Sequence, residues 1–249
     1  MPAIVAAVQY SPEPLDVHKN IAKAQQYVFE AAAKGARVVV LPELCLSGYN
    51  ITSKHDAADV CQERYGYQTE AFVPLARRFN CKIVFGYVEL KEGNLYNSAA
   101  VVGPNGLEAN TQKHNLWGPD ALWAMPSECL SPVVATPVGR LGVLICRDVM
   151  NNYRESYKFY KTESRFYKKG SVDTIALLTN WGSDYGYPDN SWMELSEETG
   201  ANIIVSNRVG KEKDLKFKGG SCVIDRSRKV WTNGSSFTEA AVVGGIVLV

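Results

Sequence analysis

Arg37-Val38-Val39-Val40-Leu41-Pro42-Glu43 is an apolar run that opens on a cation, closes on proline and then carries a carboxylate. An uninterrupted β-branched run of this length suits a strand covered on both faces. Upstream, residues 4–8 (Ile4-Val5-Ala6-Ala7-Val8) form a second apolar, β-prone run, broken by Ser11-Pro12-Glu13-Pro14. Between the two runs Val17, Ile21, Ala24, Val28 and Ala31 recur at helical spacing, which predicts a helix over about residues 16–34. Asp16 is its expected N-cap and Gly35 its expected stop. Strand, helix and strand at short loop lengths argue for an α/β layered fold.

The pattern continues downstream. Residues 57–80 read as helical, with Phe72, Leu75, Ala76 and Phe79 on one face. Strands are expected at 82–88 and 96–102, followed by the turn Gly103-Pro104-Asn105-Gly106. Residues 149–170 alternate aromatics with charges and read as amphipathic helix, either packed on a sheet, in an interface or over a substrate. A strand at 172–178, a helix at 192–200 and a strand at 201–206 follow, and the remainder is β-rich. No linker, low-complexity tract or repeat divides the chain, so residues 1–249 are expected to form a single domain.

Composition narrows the function. A formal net charge of +1 gives no electrostatic reason to expect nucleic acid or a membrane surface as partner. No apolar run approaches the roughly 18–20 residues that span a bilayer, and the N-terminal residues read as a strand rather than a signal peptide. The six cysteines are scattered with no C-x-x-C pair, and the three histidines form no H-x-x-x-H, so no metal is expected. Reduced thiols in the cytoplasm are the simplest reading.

Three residues stand where chemistry is usually kept, at strand ends and in the loops beyond. Glu43 closes a strand in which a carboxylate is costly unless paired or needed. It reads as an enclosed acid or as a strand-end residue facing solvent; the packed turn Leu44-Cys45-Leu46-Ser47-Gly48-Tyr49 favours enclosure. Cys146 ends the apolar run Val143-Leu144-Ile145, and alone it reads equally as a nucleophile or as a small core residue. Lys113 alone reads as a solvated lysine. The segment Gly118-Pro119-Asp120-Ala121-Leu122-Trp123-Ala124-Met125-Pro126 suits a pocket-lining loop or a packed surface loop.

Taken in order, Leu41-Pro42-Glu43-Leu44 with Ser47-Gly48-Tyr49, Tyr96-Asn97-Ser98-Ala99, Lys113-His114-Asn115-Leu116, Ile145-Cys146-Arg147-Asp148, Asn207-Arg208-Val209-Gly210 and Gly219-Gly220-Ser221-Cys222-Val223-Ile224-Asp225 resemble the motifs of the nitrilase superfamily of carbon–nitrogen hydrolases. The resemblance implies an α/β fold of the four-layer α-β-β-α sandwich type, with two six-stranded sheets face to face, and a homodimer or higher homo-oligomer. It implies a catalytic set of Glu43 as general base, Lys113 as oxyanion stabiliser and Cys146 as nucleophile, with no cofactor. The implied reaction is hydrolysis of a small-molecule amide or N-carbamoyl compound through a thioester. Nitrile hydrolysis, acyl transfer or a silent binding relative are the alternatives on the same residues. Asp120 falls where many relatives carry a second glutamate, and equally reads as a turn residue. Val149-Met150-Asn151-Asn152-Tyr153 departs from the family's usual run after the nucleophile, and Ser127 replaces a common glycine. Trp117, Trp123, Arg147, Asn180 and Trp181 are the expected substrate-binding residues, with backbone N–H groups near Arg147 and Trp181 available to an oxyanion.

Overall fold

The computed structural model describes residues 3–149, 167–182, 189–232 and 238–246. In chain order the elements are β1 (Ala3–Gln9), α1 (Val17–Ala33), β2 (Val38–Val40), α2 (Lys54–Val60), α3 (Tyr67–Glu70), α4 (Val73–Phe79), β3 (Lys82–Lys91), β4 (Asn94–Gly103), β5 (Gly106–Gln112), β6 (Val133–Thr136), β7 (Gly139–Ile145), β8 (Thr174–Thr179), α5 (Asn190–Thr199), β9 (Asn202–Asn207), β10 (Val209–Glu212), β11 (Leu215–Lys218), β12 (Cys222–Ile224), β13 (Val230–Thr232) and β14 (Ala240–Ile246). They build two six-stranded sheets, ordered β14-β1-β2-β3-β4-β5 and β13-β12-β9-β8-β7-β6, with β10-β11 as a separate hairpin.

The sheets pack face to face, and the strand period of two decides which residues meet. Val5, Ala7, Val38, Val40, Val84, Ala99 and Val101 from the first sheet share a core with Val143, Ile145, Ile175, Leu177, Ile203 and Val205 from the second. The intervening Ala6, Val8 and Val39 face the other way and pack with Val17, Ile21, Ala24 and Val28 of α1. On the far side, Trp192 and Leu195 of α5 close over the second sheet. This is the α-β-β-α sandwich. An all-apolar strand such as β2 is required here because both its faces are buried.

The first helix and both flanking strands lie where the periodicity places them, and Asp16 accepts a capping hydrogen bond from the Lys19 N–H at 3.0 Å. Residues 57–80 do not form one helix. They divide into α2, α3 and α4, because the chain turns extended at Cys61 and Gln62 bridges to Glu89 of β3, and because Pro74 sits in the first turn of α4. The strands expected at 82–88 and 96–102 are longer, and only Glu92-Gly93 turns between them: both have positive φ, and β3 and β4 pair up to Lys91 and Asn94. Of the 149–170 segment, residues 150–166 lie outside the described residues. Among those described, no helix is long and apolar enough to cross a membrane.

Candidate active site

Glu43 leaves the end of β2 and enters the space between the sheets, where it is 1% exposed. Its neighbour Leu44 has a positive φ of 46°, so the chain turns sharply as soon as the carboxylate is placed. The turn lies hard against β3. A Cβ on Gly86 would sit 2.3 Å from the Leu44 nitrogen and 2.8 Å from the Glu43 Cα, so only glycine allows this approach. The Gly86 N–H donates to the Pro42 carbonyl at 3.3 Å, and the Asn180 side chain donates to the Glu43 carbonyl at 2.9 Å.

Lys113 arrives from the sheet's edge. In the β4–β5 ladder Ser98 pairs with Gln112, and one residue further the Lys113 N–H donates to the Asn97 carbonyl at 2.8 Å. Asn97 and Lys113 therefore sit side by side on the inward face. Both are fully buried. The Lys113 ammonium donates to Glu43 Oε1 at 2.7 Å and to Asp120 Oδ2 at 2.5 Å. Burial pulls that ammonium down, but Asp120 and Glu43 together outweigh it and hold it well above its ordinary value. Lys113 thus stays charged, with two of its three hydrogens given to Glu43 and Asp120.

Asp120 lies in a 3-10 turn over Gly118–Leu122, and its Oδ1 accepts from the Trp117 N–H at 2.5 Å. Both of its oxygens are engaged, one by the turn it caps and one by Lys113. The sequence reads Asp120 as a turn residue or as the counterpart of a second glutamate; in the structure it caps the turn and also accepts from Lys113.

Cys146 follows β7 at the start of a second 3-10 turn over Cys146–Val149, with φ at 49°. A non-glycine residue in the left-handed region costs about 1–3 kcal/mol and is kept only where its surroundings over-determine it. Asp148 supplies that determination. Its buried carboxylate accepts from the Ile145 N–H at 3.2 Å, the His114 N–H at 3.0 Å and the Asn115 N–H at 2.8 Å. One side chain thus ties the turn that carries the thiol to the loop that carries the ammonium. Burial, reinforced by Glu43, pushes the Cys146 thiol up, against the opposing pull of Lys113 and the Asn180 backbone N–H. Burial also raises Glu43, with Lys113 and Asn97 resisting. Burial thus works against the charged form of both groups, and Lys113 works for it.

The expected substrate-binding residues divide. Trp117 stands 42% exposed at the edge of the site, with the Arg147 guanidinium 5.2 Å from its ring centroid. Asn180 is buried against the Glu43 backbone. Trp181 packs edge-on against Trp192 with ring centroids 5.8 Å apart, and Trp123 is buried in the apolar cluster that holds Leu44 and Tyr49. Trp123 and Trp181 therefore lie in the two apolar cores. Sequence reasoning did not single out Asn97 or Asp148, although both lie inside quoted motifs. The available signal was a polar residue in an otherwise apolar inward row for Asn97, and a carboxylate closing a strand-to-turn junction for Asp148. All six cysteines are unpaired, and among the described residues no cluster of three or more His, Cys, Asp or Glu side chains could hold a metal ion.

The fold and this buried cysteine, lysine and carboxylate cluster define a hydrolase sandwich of the nitrilase type. The chain belongs to the carbon–nitrogen hydrolase family, whose model matches residues 4–163. It is 30% identical over 245 residues to a nitrilase of Pyrococcus abyssi, covering 98% of this chain and 89% of that one. It is 26% identical over 259 residues to a protein N-terminal amidase of Schizosaccharomyces pombe, covering 89% and 90%. Among solved structures, a mutant amidase from Nesterenkonia sp. AN1 superposes with a TM-score of 0.81 at 22% identity, covering 97% of this chain and 92% of that one. At that identity the likeness speaks for the fold.

Proposed function

We propose that this hydrolase cleaves the carbon–nitrogen bond of a small linear amide or N-carbamoyl compound through a thioester on Cys146. One observation carries the reading: Glu43 Oε1 is held by Lys113 and Asn97, whereas the buried Oε2 has no hydrogen-bond partner among the described residues. A buried carboxylate oxygen is costly to leave unpaired, which leaves Oε2 open to a reacting group. Oε2 takes the Cys146 proton as the sulfur attacks the carbonyl carbon. The oxyanion that forms is met by the third hydrogen of Lys113. The proton then passes from Glu43 to the nitrogen, the carbon–nitrogen bond breaks, and ammonia or an amine leaves. Glu43 next takes a proton from water as it attacks the thioester; the carbon–sulfur bond breaks, and the proton returns to the thiolate.

Nitrile hydrolysis is the second reading, favoured by the Pyrococcus abyssi relative described as a nitrilase. It uses the same thiol. The unpaired cysteines suit a reducing compartment such as the cytoplasm. The deciding experiment is to incubate the protein with amides, carbamoyl amino acids and nitriles, following ammonia release and intact mass. Ammonia together with an acyl adduct lost in Cys146→Ala is expected. Turnover that survives Cys146→Ala would sink the mechanism, and release from nitriles alone would select the second reading.

A further inference from the structure

Asn97 holds a place in this cluster that neither the catalytic chemistry nor the fold demands. It sits on β4 in the inward row that continues through Ala99 and Val101, and it is fully buried. Its Nδ2 donates to Glu43 Oε1 at 2.8 Å and to Asp120 Oδ2 at 3.0 Å. These are the same two oxygens that Lys113 holds. Two donors and two acceptors thus close a four-membered ring of hydrogen bonds. The amide orientation follows from that ring, since both neighbouring atoms are acceptors and the alternative flip would set oxygen against oxygen. Its own Oδ1 is buried without a hydrogen-bond partner among the described residues. A side chain that gives both hydrogens to carboxylates while its oxygen goes unsatisfied is retained for what it does to those carboxylates.

Resting on the general-base role of Glu43 proposed above, we infer that Asn97 is a positioning residue. It occupies Oε1 so that Oε2 alone faces the thiol and the water, and it couples the base to Asp120. Lys113 cannot fix the carboxylate by itself, because a single donor leaves it free to rotate about its own bond. With Asn97 also on Oε1, the plane is set. Donation to the ionised form also keeps the base charged, against a burial that favours its protonated form.

The test is Asn97→Leu, which keeps the branched outline, at somewhat greater bulk, and removes both donors, read by two pH profiles. One is kcat/KM on whichever substrate is found; the other is the rate of Cys146 alkylation by iodoacetamide, which needs no substrate. The acid limb of both is expected to move to higher pH, with kcat falling about 10²-fold and KM little changed. In a Glu43→Gln background the same substitution should leave the alkylation profile where it was, since the base it positions is gone. A folded variant with an unmoved acid limb overturns the inference. So does an equal alkylation effect in the Glu43→Gln background, which would mark Asn97 as structural. If Asn97→Leu does not fold, Asn97→Asp serves: a like charge beside Glu43 should move the limb the same way, and an unmoved limb overturns the inference again. Failure of every amide and carbamoyl compound to release ammonia would refute the amide reading and leave the alkylation comparison standing.

Discussion

Cys146 carries two demands that conflict, because its backbone must turn left-handed while its thiol must stay near enough to Glu43 to feel its charge. The left-handed region costs an L-residue about 1–2 kcal/mol and glycine almost nothing. Cys146→Ala and Cys146→Gly should therefore both abolish turnover yet differ in stability. With φ at 49°, the glycine variant should be at least as stable as the alanine variant by urea denaturation, against the usual order in which glycine is worse. A clearly weaker glycine variant would show that the turn is not strained. The pH dependence is also set at this scale. Burial, aided by Asp120, raises Glu43 above the ordinary 4.5 of a glutamate, while Lys113 and Asn97 pull it back. A protonated Glu43 cannot accept the thiol proton, so kcat/KM should rise with pH through a limb lying above 4.5. The Cys146 thiol is raised as well, so iodoacetamide should find no low-pKa thiolate. A limb at or below 4.5 would mean that a different, better solvated carboxylate is the base.

Among the elements, those with strong periodicity were legible and those held by pairing alone were not. α1 was readable because its apolar face repeats along the whole of Val17–Ala33. β5 was not, since Gly-Leu-Glu-Ala-Asn-Thr-Gln shows no apolar alternation: it is the first sheet's edge strand, and its other side needs no apolar cover. Yet β5 is what delivers Lys113 beside Asn97. The hairpin of β10 and β11 was hidden for the same reason, being polar and two-stranded. Close backbone approach also leaves no periodic trace, and β3 shows its consequence. Gly86→Ala would drive a methyl group into the Glu43–Leu44 backbone, and backbone has nowhere flexible to go. The strand or the turn must shift, at about 1–3 kcal/mol for an overpacked core site. Because the shift falls on Glu43, activity should drop more than stability does. Thermal unfolding and kcat measured together check this, and unchanged kcat in a destabilised variant would separate β3 from the site.

Over the whole molecule, the residues that meet at the site are far apart in the chain, and no local pattern contains that convergence. Glu43, Lys113 and Cys146 could be marked individually as strand-end residues, and their order matched a family. That Asn97 and Asp148 bind them together is a product of sheet register and could be seen only after folding. The same holds for the ion pair of Arg208 and Glu212, which joins the hairpin to the turn beyond Glu43. Arg208 is fully buried and Glu212 nearly so, and they form a close salt bridge. Glu212 also accepts from the Tyr49 N–H at 3.0 Å and the Asn50 N–H at 2.8 Å, so one carboxylate satisfies a buried cation and the loop that follows the proposed base. The Arg208 guanidinium lies 4.5 Å from the Phe217 ring centroid, with Phe217 edge-on to Tyr49. Removing one partner strands the other charge, at about 3–5 kcal/mol for a buried pair. Glu212→Ala should cost that much in urea denaturation, and Arg208→Met less, because the carboxylate keeps its two backbone donors. In the double variant no buried charge is stranded, so the combined loss should fall short of the sum of the single losses. Strict additivity would mean that the two side chains act separately, and that the hairpin and the turn are not held by their pairing.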